Sequence, residues 1–332
     1  MMQLEHRGKD IAVKACSRTL LPKTLITPTG ISDAKVFEYL FKQSLDKPQF
    51  GRFSTNYAVV SLPEAKSFVR VIQIPKMSEA EAEVSVPYEA ESFIPMPMDQ
   101  VYIDWQKIGE TEDKMNILMV ASPKDFVDKY LEILDKCGIK TAALEVESQS
   151  CHRALFPPDS KETVLLVDLA AYSTSFVMVE DGNLQFTSAI PISGSTFTDA
   201  IASALGVSGA KAEEIKMKVG IANTTQYPNI KTAVLPVLNS LSAEIKNILK
   251  FHAEHSQKKV TRIVLLGGGA RLSNLTDYLA SQLQESGIEK VELGNPWQNF
   301  GLLKNTPFDP MESLSYVTVI GLASRALDYK VI

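Results

Sequence analysis

Three glycines, an aspartate, two hydroxyls and a Glu/Lys pair are the residues of this 332-residue chain whose types and spacing could do chemistry. The run LLGGGARLSNL, residues 265–275, follows the β-branched stretch 260–264, so it reads as a strand that ends in Gly267, Gly268 and Gly269 and enters a helix. Successive glycines let backbone N–H groups approach a ligand closely and adopt φ > 0, and Ser273 and Asn274 are N-cap residue types. Such a junction suits a nucleotide, and it equally suits tight packing of helix on strand. A second segment bears on the choice. The apolar run 164–167 ends in Asp168, and Ser173 and Thr174 follow a few small residues later. A carboxylate and two hydroxyls at one sheet edge suit Mg²⁺ with phosphate, or a simple cap on the turn.

Glu213 and Lys216, in AKAEEIKMKVG, share one helix face at i,i+3. They form either a ligand-facing pair or an ordinary exposed ion pair worth about 0.3–0.5 kcal/mol. The remaining candidates are weaker. His252 and His255 read as solvated residues of a polar last turn rather than metal ligands, and His6 and His152 stand in no spacing with a nucleophile.

These residues need elements to hold them. In the first part of the chain the pattern predicts a helix over 33–43 and strands over 57–62 and 68–74, ended by Pro63 and Pro75. An acidic helix starts at Ser78 with Glu81 completing a capping box and runs towards Ile94, with Pro87 starting or kinking part of it. A strand at 101–108, a polar turn at 110–114, a strand at 115–121 and a helix over 123–137 follow, then a strand at 139–145 and a helix over 147–155. Pro157 and Pro158 mark a hinge. Beyond it lie a hairpin turning at Asp181-Gly182-Asn183, helices over 196–205, 210–219 and 234–256, the glycine-triplet strand, and a last helix over 315–327 whose Gly321 permits close approach to the sheet.

Composition narrows the function classes. Net charge is −5 and the Lys and Arg residues are dispersed, which makes nucleic acid and anionic lipid poor candidates for direct partners. No apolar run reaches the roughly 18–20 residues of a membrane span, so a cytoplasmic protein without direct membrane insertion is expected. Three widely spaced cysteines, Cys16, Cys137 and Cys151, read as packing residues.

Together these segments resemble the actin-like ATPase superfamily and, within it, the PilM proteins of type IV pilus assembly, relatives of the division protein FtsA. The stretch 88–106, YEAESFIPMPMDQVYIDWQ, carries the resemblance to PilM furthest. It implies an α/β, actin-like two-lobe (ribonuclease H-like) fold with an FtsA/PilM-type insert. Subdomain IA would take residues 1–76 with 137–158 and 315–332, the IC insert 77–136, and domain II 159–314. The resemblance further implies ATP or ADP with Mg²⁺ between the lobes. The second phosphate loop is represented by Asp168, Ala170, Ser173 and Thr174, with Asp168 on Mg²⁺ through water. Gly194 stands in a phosphate-side turn, Glu213 and Lys216 at the ribose, and Gly267, Gly268, Gly269 and Ala270 at the adenosine. Ala170 replaces the usual glycine, at a cost of about 1 kcal/mol if its backbone needs φ > 0. The family's first phosphate hairpin is missing: the chain reads as beginning one hairpin late, through a misplaced start codon or true loss.

What the resemblance implies about partners is the N-terminal tail of the membrane protein PilN, seated in a IA/IC groove near Phe68, Val69, Arg70, Ile72, Ile94, Val101 and Trp105. Other inner-membrane pilus platform proteins and self-association are further implied contacts. The protein is then peripheral to the inner membrane through a partner, and at most a slow ATPase. Two alternatives stay open: a nucleotide-free scaffold of the same fold, and an FtsA-like or GspL-like adaptor. The second is disfavoured because the chain stops at residues 328–332 with neither an amphipathic tail nor a membrane span.

Overall fold

The computed structural model describes residues 1–8, 10–22, 24–27, 30–300 and 306–328, which fall into two compact units. The expectation about the chain's end concerns residues 329–332, outside the described ones. One unit holds Met1–Phe156 and includes a later helix from Thr318 onward; the other holds Pro157–Asn295 and Phe308–Val317.

The first unit starts with an antiparallel hairpin, β1 (Met2–Arg7) and β2 (Asp10–Cys16). A short pair, β3 (Ile26–Thr27) and β4 (Gly30–Ile31), precedes α1 (Ala34–Asp46). Asp33 starts that helix by accepting from the backbone N–H groups of Lys35 and Val36. β5 (Phe50–Gly51) returns to β2, and β6 (Tyr57–Leu62) and β7 (Phe68–Pro75) follow. α2 (Glu79–Glu91) opens on the capping box of Ser78 and Glu81, and it continues as one helix through Pro87. β8 (Val101–Glu110) and β9 (Lys114–Pro123) form a long hairpin, with β7 on the other side of β9. α3 (Lys124–Lys136) leads into β10 (Lys140–Val146), parallel to β6, and β10 runs directly into α4 (Glu147–Leu155).

Side-chain alternation along β7, β8 and β9 turns one set of apolar residues to a face that α2 covers. Ile72, Ile74, Met115 and Ile117 pack against Ala82 and Val86 of the helix, while Val101, Met119 and Ala121 pack against Ala90 and Ile94.

The second unit is built on five strands. β11 (Val164–Leu169), β12 (Thr174–Glu180) and β13 (Asn183–Ile190) form an antiparallel meander. Its β12–β13 turn has φ > 0 at both Asp181 and Gly182, the conformation of a tight hairpin. Three helices follow, α5 (Gly194–Leu205), α6 (Gly209–Val219) and α7 (Ile230–His255). β14 (Arg262–Leu266) adds parallel to β11; α8 (Leu275–Leu283) crosses to β15 (Lys290–Leu293), parallel to β14. The strand order is β15-β14-β11-β12-β13. α7 places Val234, Leu238, Leu241 and Ile245 on one stripe, into the core formed with Leu165, Val167, Phe176 and Met178. A short turn of helix, α9 (Pro310–Ser313), precedes α10 (Val317–Asp328), most of which belongs to the first unit.

One histidine differs from expectation. His252 is buried, its Nε2 2.8 Å from Glu180 Oε2, because α7 turns this residue onto β12 rather than into solvent. His255, one turn on, is exposed. The three cysteines are buried and, among the described residues, none forms a disulfide.

Candidate functional site

In the second unit the predicted residues converge at the carboxyl ends of the parallel strands, the usual ligand edge of such sheets. Asp168 of β11 stands in register with Leu266 of β14, one residue before the glycines. Gly267 has φ +82°, and a Cβ there would lie 2.3 Å from Asp168 Oδ1 and 2.6 Å from the Leu169 carbonyl oxygen. Glycine is therefore required where the backbone is laid against the carboxylate.

The other two glycines behave differently from the expected run of left-handed residues. Only Gly267 has positive φ; Gly268–Arg271 is a single 3₁₀ turn. Gly269 serves packing, since a Cβ would meet Leu169 Cβ at 2.8 Å. Gly268 is the open position: a Cβ there would have only Ser315 Oγ nearby, at 3.5 Å. The expected N-cap is also corrected: Asn274 occupies the position, but in a left-handed conformation with no side-chain bond into α8. The chain must reverse from the 3₁₀ turn into α8, and Asn tolerates that φ.

The loop after Asp168 folds onto the start of α5. Ala170 N donates to the Ser173 carbonyl, Gly194 N to the Ala170 carbonyl and Ser195 N to the Ala171 carbonyl, at 3.0, 2.9 and 3.1 Å. Thr174 Oγ1 is buried and donates to the Ile192 carbonyl at 2.7 Å. Ala170 is not in the left-handed region, so it carries no strain from replacing glycine.

Lys216 is buried rather than part of a surface pair. Its Nζ donates to the Gly194 carbonyl, Thr198 Oγ1 and Glu213 Oε2, at 2.8, 2.8 and 2.7 Å. These three bonds use all three ammonium N–H groups and tie α6 to α5. Glu213 Oε2 also accepts from Thr198, and its side chain is half-exposed.

Two groups beside the glycines escaped sequence reasoning. Among the described residues Ser315 Oγ and Arg271 Nε are buried without a hydrogen-bond partner. Leu314, next to Ser315, accepts from Gly267 N at 3.0 Å. Arg271 stood in plain sight within GGGAR, whereas Ser315 lies far along the chain and no local pattern marks it. Orphaned donors on Arg271 and Ser315, together with the Asp168 carboxylate against Gly267, fit an anionic ligand with a bound divalent cation, so these residues suit a Mg-nucleotide.

The first unit carries a second candidate, a cleft of about 790 Å³. Tyr102, Asp104 and Gln106 of β8 form one wall, and Thr141 and Leu144 of β10 belong to the other. β8 is the last strand of its sheet among the described residues. Of the predicted groove residues only Trp105 lines this cleft. Val69, Ile72, Ile94 and Val101 are buried, three of them under α2, and Arg70 lies 4.9 Å from the centre of the Phe93 ring. Phe68, Ile72, Ile94 and Val101 belong to the side of the sheet that α2 covers, whereas Val69, out of phase with Ile72 and Ile74 on β7, lies on the opposite face, where the cleft opens, without lining it.

At the cleft's base the fully buried carboxylate of Glu145 joins two arginines. Arg153 Nη1 and Nη2 donate to its two oxygens at 2.6 and 2.9 Å, and Arg325 Nη1 of α10 donates to Oε2. Arg153 Nη1 also donates to the Gly321 carbonyl at 3.1 Å. Gly321 is obligatory for a reason other than the expected approach to the sheet: a Cβ would stand 2.0 Å from the Ser150 carbonyl of α4.

This architecture is that of the actin-like ATPase fold. MreB 5 of Spiroplasma citri, solved bound to AMPPNP, matches over 98% of this chain and 95% of its own at 11% identity and TM-score 0.57, which bears on fold alone. FtsA of Buchnera aphidicola is 24% identical over 255 residues, covering 68% of this chain and 59% of its own length. The chain thus spans little more than half of such curated relatives. A solved PilM-PilN type IV pilus biogenesis complex matches over 99% of this chain and 95% of its own, at 26% identity and TM-score 0.82. The family model for type IV pilus assembly protein PilM matches residues 1–327, and the chain belongs to that family. Among the described residues no helix is long and apolar enough to cross a membrane.

Proposed function

We propose that this protein is an adaptor in type IV pilus assembly whose first-unit cleft seats the N-terminal tail of a PilN-type membrane protein. The observation that carries the reading is the cleft itself: an edge strand, β8, presents Tyr102, Asp104 and Gln106 beside an arginine-rich base, a shape suited to an extended peptide. The match to a PilM-PilN complex supports PilN as the source of that peptide. Such a partner would hold the protein at the cytoplasmic face of the inner membrane. Fluorescence anisotropy with a labelled PilN-tail peptide tests this: saturable binding is expected, and no binding to the full chain would overturn it.

Nucleotide binding in the second unit is the companion reading, favoured by the orphaned Ser315 and Arg271 donors. Asp168 would hold Mg²⁺ through water, Ser315 and the Gly268 backbone would meet the nucleotide, and Glu213 would lie towards the ribose. The ion would supply charge neutralisation at the phosphates. Thr174, Gly194 and Lys216 would act by fixing the loop. Calorimetric titration with Mg-ATP, with melting alongside, checks it: ligand at 100-fold over its dissociation constant stabilises the folded state by about 2.7 kcal/mol. Silence in both would leave a nucleotide-free scaffold.

A further inference from the structure

The geometry points to Arg153 as the residue that selects the occupant of the cleft, by gripping an oxygen acceptor of the seated peptide with one edge of its guanidinium. This rests on the reading that the cleft seats a PilN-type tail, and adds what that tail must present there.

A guanidinium has five N–H donors in a rigid fork. In Arg153 the end edge is spent: Nη1 and Nη2 hold the two oxygens of Glu145, and the second Nη1 proton goes to the Gly321 carbonyl. That leaves Nε–H and the outer Nη2–H, which lie parallel on one side and make no bond to the described residues. Arg153 lines the cleft and its side chain is one-third exposed. The residue is held rigidly by a carboxylate that is itself wholly buried, so its open edge is pre-organised rather than a floppy surface charge.

Charge leads to the same chemistry. Arg153 and Arg325 both donate to the carboxylate of Glu145, so the charge of Arg153 is shared rather than matched one to one. A side-chain carboxylate on the incoming chain matches the fork with two oxygens, and a carboxamide or main-chain carbonyl meets it with one oxygen that accepts from both N–H groups. Glu145 is then a positioning residue: it aims the guanidinium without touching the peptide.

The test uses the full chain and a PilN-tail peptide. Arg153→Lys keeps a charge beside Glu145 but has no side edge, and Arg153→Gln removes both; each should weaken the peptide about ten- to a hundredfold. With ¹⁵N-arginine labelling, the Nε–H resonance of Arg153 in the wild-type protein should move on adding peptide, a readout independent of whether the variants fold. Wild-type binding with an unmoved Nε–H signal and unchanged variant affinity overturns the inference and leaves the cleft reading standing. Failure of the wild type to bind removes both. A steep loss of affinity from low to high salt assigns the acceptor as a carboxylate, and a flat profile as an uncharged carbonyl.

Discussion

The loop-and-helix cluster of the second unit and the cleft base of the first contain similar residue types, and they differ in what those residues have left to give. Around Asp168 most of the donors expected to face a ligand are already bonded within the protein: Lys216 three times over, Thr174 to Ile192, and the Gly194 and Ser195 amides to the 170–171 carbonyls. At the cleft base Arg153 keeps a complete donor edge. Residue type and spacing thus locate a site, while hydrogen-bond accounting decides which atoms in it can meet a partner.

The sharpest way to break the comparison is at the glycines. Gly267→Ala forces a Cβ onto Asp168 and a left-handed φ at once, and should cost about 3 kcal/mol and abolish nucleotide binding. Gly268→Ala, one residue on, should cost under about 1 kcal/mol; chemical denaturation of the two variants side by side checks the contrast. Equal losses would mean that the carboxylate contact is not what fixes Gly267.

Lys216 separates a fixing role from a binding one. Lys216→Met leaves the Gly194 carbonyl and Thr198 hydroxyl without their donor and should destabilise by about 1–3 kcal/mol, while the residual folded protein still binds peptide. Denaturant midpoints with and without the PilN-tail peptide measure both effects.

The smallest effect is a titration. Burial pushes the Tyr130 phenol up to about 12. The folded value lies above the ordinary one near 10, so the folded chain holds this proton longer, and the stabilisation, present below about pH 10, is lost between about 10 and 12. Absorbance at 295 nm should show one of the ten tyrosines ionising last, and Tyr130→Phe should remove that step.

Much of this was legible in the chain. The capping box at Ser78, the β8–β9 hairpin, the span of α4 and the strand–glycine junction all follow from local rules, because propensity, capping and turn chemistry act over a few residues. The function of single side chains was less so. Lys216 looks like a surface residue at i,i+3 to Glu213, and only the packing of α6 on α5 buries it. Ile72 and Ile94 look like groove residues because they are apolar, and which sheet face is covered depends on α2, whose glutamates give no hint of what lies beneath. Ser315 and the Arg325–Glu145 pair join residues far apart in sequence, beyond any periodicity.

The contact of Gly321 with Ser150, and of Arg325 with Glu145, joins positions some 170 to 180 residues apart. During synthesis the ribosome therefore delivers α4 long before the helix that completes its packing. The second unit, nearly continuous in sequence, can close first, and the first unit must wait with Glu145 held by Arg153 alone until α10 emerges. Cleavage within α10 should consequently unfold a cleft formed almost wholly by residues made long before that helix.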